Sequence, residues 1–403
     1  MTDSGEKASA RSQLLALSAA MILGMTPWFS ATVAAPLMIA EWGPRSLAIS
    51  WLTIAVQLGF VAGTFVSATM MLSDRFSARW LAAASSLLAA VATLLLVRRG
   101  TSPSQAIMLR AVTGFALAGV YPPGIKIAAG WWKTGRGAAI GTLVGALTIG
   151  SAAPNLFRVG IQAAEWRPIV VGAAIASILS ALLFALVVRE GPYQAPSAPF
   201  DPKALSAVIR DRGVVLATAG YLGHMWELYA MWSSIGGFWT YVVLRHQGSS
   251  STAALLAFVT IASGTLGCVV AGVVADRVGR ALVTIVAMAV SGMCALLIGP
   301  LLGAPLFVVA AIAVVWGISI VADSAQFSAS VTELAPGRYV GTAITVQTCL
   351  GFLLTIVTIR LVPIWANTWG WERAYMPLAI GPALGIVAMW RLWRSTPASV
   401  TRS

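Results

Sequence analysis

The sequence predicts an all-α membrane protein, with twelve transmembrane helices in two six-helix bundles. Three observations carry this. Hydrophobic residues fill 58% of the 403 positions and charged residues only 10%, against roughly 25% charged in a soluble protein. The apolar residues are gathered into runs of about 20, the length that crosses a bilayer as a helix. A Pro-rich, polar stretch, Arg189–Gly213, separates six runs from six. This composition excludes a soluble enzyme, a nucleic-acid-binding domain, a disordered chain and a secreted disulfide scaffold.

The first set of runs lies at about 12–35, 47–71, 80–97, 104–126, 138–160 and 168–188, and the second at about 214–243, 252–275, 282–300, 305–332, 340–364 and 374–392. Helices are the only fit, because barrel strands are half this length and alternate in polarity. The first run is too long for a signal-peptide core and has no evident cleavage site, so it is expected to be retained. The expected organisation is a bundle over residues 1–190, a cytoplasmic linker over 191–212 and a second bundle over 213–403. The net charge of +13 sits in short gaps between runs, the pattern of cytoplasmic loops. With both termini inside, 17 of the 26 Lys and Arg fall on the cytoplasmic side. Cys268, Cys294 and Cys349 lie far apart in apolar runs and read as packing residues. No Cys/His cluster suggests a metal and no phosphate loop suggests a nucleotide, so neither metal nor cofactor is expected. Two histidines, His224 and His246, and no nucleophile–His–acid grouping argue against an enzyme.

One local pattern occurs in both halves. Gly272-Val-Val-Ala-Asp276-Arg277-Val-Gly279-Arg280 follows the eighth run, and Ser73-Asp74-Arg75-Phe76-Ser77-Ala78-Arg79 follows the second. Each closes a tight turn between consecutive runs. The pattern resembles the GxxxDRxGR loop signature of the major facilitator superfamily, and that resemblance covers essentially the whole chain. The second copy keeps every fixed position through Arg280 and then has Ala281. The first has Met70, Ser77 and Ala78 where the signature has Gly, Gly and a basic residue. The resemblance implies the two-bundle fold, transport by alternating access, and a conformational gate formed by Asp74, Arg75, Asp276, Arg277 and Arg280.

Charges within spans are costly and usually functional. Of the 13 acidic residues, only Glu227 and Asp323 fall inside runs. His224 and Glu227 lie three apart, on one helix face near mid-membrane. A buried carboxyl beside a His is suited to carrying a proton. Ser319, Asp323, Gln326 and Ser330 form a polar stripe on the tenth span. Proton coupling is therefore expected of Glu227, His224 and Asp323. Arg110 begins Arg110-Ala-Val-Thr-Gly114, which resembles the family's fourth-helix RxxxG motif. As a fixed cation it suits an anionic substrate or Glu227. Arg158 stands near the outer end of the fifth span, within snorkelling reach of the interface. Substrate contacts are expected from Arg110, Trp28, Tyr221, Trp226 and Gln326. Gly59 and Gly63 read as a helix-packing pair, and so do Gly141 and Gly145.

The tract Gly130–Gly141 and the stretches around His224 and Asp323 are distantly similar to the nitrate/nitrite and cyanate-type porters. The Arg residues that nitrate porters carry in their second and eighth helices are absent, which counts against nitrate. The expected function is proton-coupled secondary transport of a small organic anion. The alternatives are proton-driven export of a lipophilic cation or drug, and a non-transporting sensor or assembly factor on the same scaffold. A monomer in a bacterial inner membrane is expected, with the substrate, the proton and the lipid as partners and no nucleic acid.

Overall fold

The structure, a computed structural model, describes residues 3–43, 48–132, 136–159, 165–193 and 200–395. Residues 133–135 of the Gly130–Gly141 tract, residues 194–199 of the linker and Arg402 lie outside it. The described residues are helical with no strand. In the first half the helices are α1 (Asp3–Met25), α2 (Pro27–Trp42), α3 (Ala48–Thr69), α4 (Leu72–Arg75), α5 (Ala78–Leu95), α6 (Pro103–Leu117), α7 (Tyr121–Ala129), α8 (Arg136–Arg158) and α9 (Arg167–Leu186). After a 3-10 turn at Pro202–Ala204 come α10 (Leu205–Arg210), α11 (Arg212–Arg245), α12 (Ser250–Ala262), α13 (Gly264–Val278), α14 (Arg280–Leu297), α15 (Leu306–Ala322), α16 (Ser324–Leu334), α17 (Val340–Trp369), α18 (Trp371–Ala374) and α19 (Ile380–Ser395).

Among the described residues, eleven helical segments are long and apolar enough to cross a membrane. They coincide with eleven of the twelve predicted runs. The remaining run is α11, whose 34 residues span roughly 50 Å. Length does not disqualify it. His224, Glu227, Thr218 and a group of Tyr and Trp residues dilute its apolar character.

Several spans are not single helices. α1 meets α2 at Thr26, where Pro27 supplies no N–H to the preceding turn. α6 gives way to α7 just before Pro122 and Pro123, α12 to α13 at Ser263, and α15 to α16 at Asp323. Backbone groups freed at such breaks survive in a bilayer only where protein satisfies them, so the breaks mark interior positions.

The chain forms two compact units, Met1–Phe157 with Ala164–Ser197, and Arg158–Ala163 with Ala198–Ser403. In the first, α3 packs on α6 and α9 packs on α1 and α5. The α3–α6 approach is close enough that a Cβ at Gly114 would collide with the carbonyl of Val56, and one at Gly59 with the carbonyl of Ala111. In the second, α11 packs on α17 and α19, while α13 and α14 pack on α15. Lipid-facing positions such as Leu186, Leu266, Phe307 and Leu384 are exposed apolar residues, as the bilayer requires.

Candidate functional site

The first unit buries one strong charge. Arg110 on α6 is 1% exposed. Its Nη1 donates to the carbonyl of Pro27 at 2.9 Å, its other terminal nitrogen to the carbonyl of Trp28, and its Nε to the carbonyl of Leu52 at 3.4 Å. The guanidinium thus ties α6 to α3 and to the first turn of α2, directly after the α1–α2 break. Among the described residues it forms no ion pair with a carboxylate. Trp28 is buried beside it, its ring centroid 4.9 Å from that of Phe60 on α3. Arg158, at the last residue of α8, is half-buried.

The second unit buries the acids. Glu227 on α11 is 1% exposed. Its Oε1 accepts from Trp316 Nε1 at 2.6 Å and its Oε2 from Ser291 Oγ at 2.9 Å. Both donors are neutral. The Trp316 ring is held in turn by Tyr375, edge-on at 5.0 Å, and the Tyr375 hydroxyl pairs with Ser234 at 3.0 Å. One turn before Glu227, His224 places Nδ1 2.9 Å from Asp323 Oδ1, close enough for an ion pair but not aligned as a hydrogen bond. Nε2 of His224 has no hydrogen-bond partner among the described residues. Tyr221 and Phe327 flank the imidazole, with ring centroids 6.1 and 5.5 Å away. Asp323 occupies the break between α15 and α16, where its carbonyl accepts from the Gln326 N–H at 2.9 Å. Gln326 Oε1 accepts from Arg280 Nη1 at 2.9 Å, and Arg280 Nε donates to Glu333 at 2.7 Å. A polar string therefore leads from Asp323 through Gln326 to Arg280 and the exposed Glu333.

The predicted residues separate into groups. Glu227, His224 and Asp323 are buried in one unit, although His224 makes its contact with Asp323 and none with Glu227. Tyr221 and Gln326 join that cluster. Trp226 instead donates from its Nε1 to the carbonyl of Pro377, between α18 and α19, at 3.1 Å. Of the loop residues, Asp74 pairs with Lys126 of α7, whose Nζ also donates to the carbonyl of Ser73 at 2.7 Å. Arg75, Asp276 and Arg277 are exposed. Arg280 reaches Glu333 and Gln326 rather than Asp276.

Three further buried side chains have no role predicted from the sequence. Trp316 stands seven residues before Asp323, on the face of the polar stripe, but sequence alone does not separate a partner tryptophan from a packing one. Ser291 is one serine in an apolar run and carried no signal. Gln57 on α3 is fully buried and was passed over, because a single amide lowers the apolar character of a run very little. Among the described residues no group of three or more His, Cys, Asp or Glu could hold a metal ion.

The chain matches the family model of the Major Facilitator Superfamily over residues 17–359. No curated protein matches it. The match covers most of the chain, and the chain belongs to that superfamily. It is an integral, multi-pass membrane protein of a transporter family.

Proposed function

We propose that the protein is a secondary active transporter that moves a small organic anion together with a proton by alternating access. The observation that carries this reading is Arg110, a buried cation whose partners among the described residues are carbonyl oxygens alone. Carbonyls disperse a positive charge but do not neutralise it, and an uncompensated charge in a low-dielectric interior attracts a counter-charge. An anionic cargo supplies one. Glu227 is the complementary device. Its two partners donate to a carboxylate but leave its charge uncompensated, and a bound proton removes that charge. His224, one helical turn away, and Asp323, in contact with it, extend the set of proton carriers. Trp28, Tyr221, Trp226 and Gln326 complete the proposed substrate contacts. Asp74, Arg75, Asp276, Arg277 and Arg280 are assigned to the conformational gate. The likeness of the Gly130–Gly141 tract to anion porters points the same way. In this reading the protein is a monomer of the bacterial inner membrane with both termini cytoplasmic.

A second reading, export of a lipophilic cation, is favoured by the same Glu227 carboxylate, since a cationic drug could be its missing partner. Thermal stability of the detergent-purified protein separates the two, because a ligand that binds only the folded form raises Tm. The anion reading expects small carboxylates to raise Tm in the wild type and not in Arg110→Gln. Stabilisation by lipophilic cations alone, lost in Glu227→Gln, would overturn it.

A further inference from the structure

The side chain of Gln57 is 0% exposed, and among the described residues neither its amide oxygen nor its amide nitrogen has a hydrogen-bond partner. An amide offers two donors and an acceptor, and buried polar groups nearly always have partners. An amide left wholly unmet in the middle of an apolar span needs an explanation.

Its position supplies one. Thr53, Gln57 and Phe60 follow one another at spacings of four and three, so they share a face of α3. That face meets α2 on both sides of Gln57. The Thr53 and Thr32 hydroxyls are 2.7 Å apart, and the Phe60 and Trp28 rings are in contact. The amide is thus bracketed by Trp28 and Thr32, one turn apart on α2. Arg110 converges on the same level. It binds the carbonyl of Leu52, which points along α3 toward the turn of Val56 and Gln57, and the carbonyl of Trp28, which points along α2 toward Thr32. Gly114, one turn beyond Arg110, lies against the Val56 carbonyl. Gln57, Arg110 and the break between α1 and α2 therefore gather in one place, and discontinuous helices commonly form the binding sites of transporters.

We propose that Gln57 is a specificity residue. Beside the Arg110 cation, its amide binds a hydroxyl carried next to the charged end of the transported anion, so the preferred cargo is a hydroxylated carboxylate. A hydroxyl donates one hydrogen bond and accepts others, which matches the carbonyl and NH2 of one amide together. The Arg110 charge alone would not distinguish a hydroxy acid from its deoxy analogue. The amide does. This inference rests on the organic-anion reading above.

The test compares lactate with propionate and malate with succinate on the purified full-length protein, by thermal shift and by affinity. It uses the wild type, Gln57→Met, which keeps the length but removes the amide, and Gln57→Asn. The wild type is expected to prefer each hydroxy acid by about tenfold, the worth of one or two buried hydrogen bonds. Gln57→Met is expected to bind hydroxy and deoxy acids equally, with unliganded Tm unchanged or raised because no unmet amide remains. Gln57→Asn should retain part of the preference. A wild type that responds to none of the four acids overturns the organic-anion reading, and this proposal with it. A wild type that binds hydroxy and deoxy acids alike overturns this proposal alone. So does a Gln57→Met variant that keeps the preference, or one that fails to fold, since the amide would then be structural.

Discussion

In the first half of the molecule the buried ion is Arg110, and its partners are the main-chain carbonyls of Pro27, Trp28 and Leu52. In the second half it is Glu227, and its partners are the side chains of Trp316 and Ser291. The difference concerns what each site can change. The carbonyls belong to two helices, α2 and α3, and cannot titrate, so Arg110 on α6 is both a fixed charge and a brace. An indole N–H and a hydroxyl serve a carboxyl whether or not it holds a proton, so Glu227 can change charge without dismantling its surroundings. The two loop motifs differ in the same sense. In the first copy Asp74 is tied to Lys126, and Glu190 accepts from the Ser77 hydroxyl at 2.7 Å. In the second, Arg280 reaches through Gln326 to the break at Asp323. The second copy thus joins the cluster assigned to the proton.

Substitutions at the two ions should break this contrast most sharply. Glu227→Gln is expected to reduce proton-driven accumulation in proteoliposomes on the order of 10²-fold, the low end of what a positioned proton-transfer group contributes. Its folding stability should change little, because Gln still accepts from Trp316. Arg110→Lys should do the reverse to stability. A single ammonium cannot satisfy three separate carbonyls, and each one left unmet costs about 1–3 kcal/mol. Chemical denaturation in detergent measures both. A brace at Glu227, or a dispensable Arg110, would reverse the order.

A smaller effect sharpens the loop comparison. Gly279, between α13 and α14, has φ +92°, a conformation that penalises any side chain, whereas Ser77 at the matching place has φ −56°. Gly279→Ala is expected to lower stability by about 1–2 kcal/mol. Ser77→Gly should lose only the hydrogen bond to Glu190, about 1 kcal/mol, and equal losses in a melting experiment would contradict this. The divergence of the first copy from the motif is thus tolerated because its turn does not need glycine.

The smallest effect lies outside the spans. Arg167 forks onto Glu41 with contacts of 2.7 and 3.1 Å, and this hydrogen-bonded pairing holds the Glu41 carboxyl below the usual carboxylate range. A carboxyl with a lowered folded-state pKa stabilises the fold above its unfolded value, and that contribution disappears as the pH falls through the folded one. The pair is exposed, so the loss on acidification should be a few tenths of a kcal/mol. Glu41→Gln should abolish that increment and leave the rest of the acid profile unchanged.

Most of the fold was legible because a bilayer demands long apolar runs, and eleven of twelve were found again as membrane-length helices. The seventh was read as an apolar run as well, although His224, Glu227 and a group of Tyr and Trp residues dilute α11. The breaks were only partly legible. Pro27 announces one by its chemistry, but the breaks at Asp323 and Ser263 fall where no proline or other local signal marks them. At the site, Glu227, Asp323 and Arg110 stood out because charge in a span is rare. Their partners did not, because a serine, a tryptophan or three carbonyls look the same in sequence whether or not an ion sits beside them. The reach of Arg280 to Gln326 and Glu333 links residues 46 and 53 positions apart, beyond any local pattern.

In the proposed mechanism, fixed charge and titrating charge are divided between the halves. Proteoliposomes loaded with a carboxylate that stabilises the protein allow exchange and net uptake to be measured separately, for the wild type and Glu227→Gln. The wild type is expected to perform both and to acidify the lumen during net uptake, and Glu227→Gln to retain exchange but lose pH-driven net uptake. Net uptake by Glu227→Gln at the wild-type rate and with the same proton movement would contradict that division.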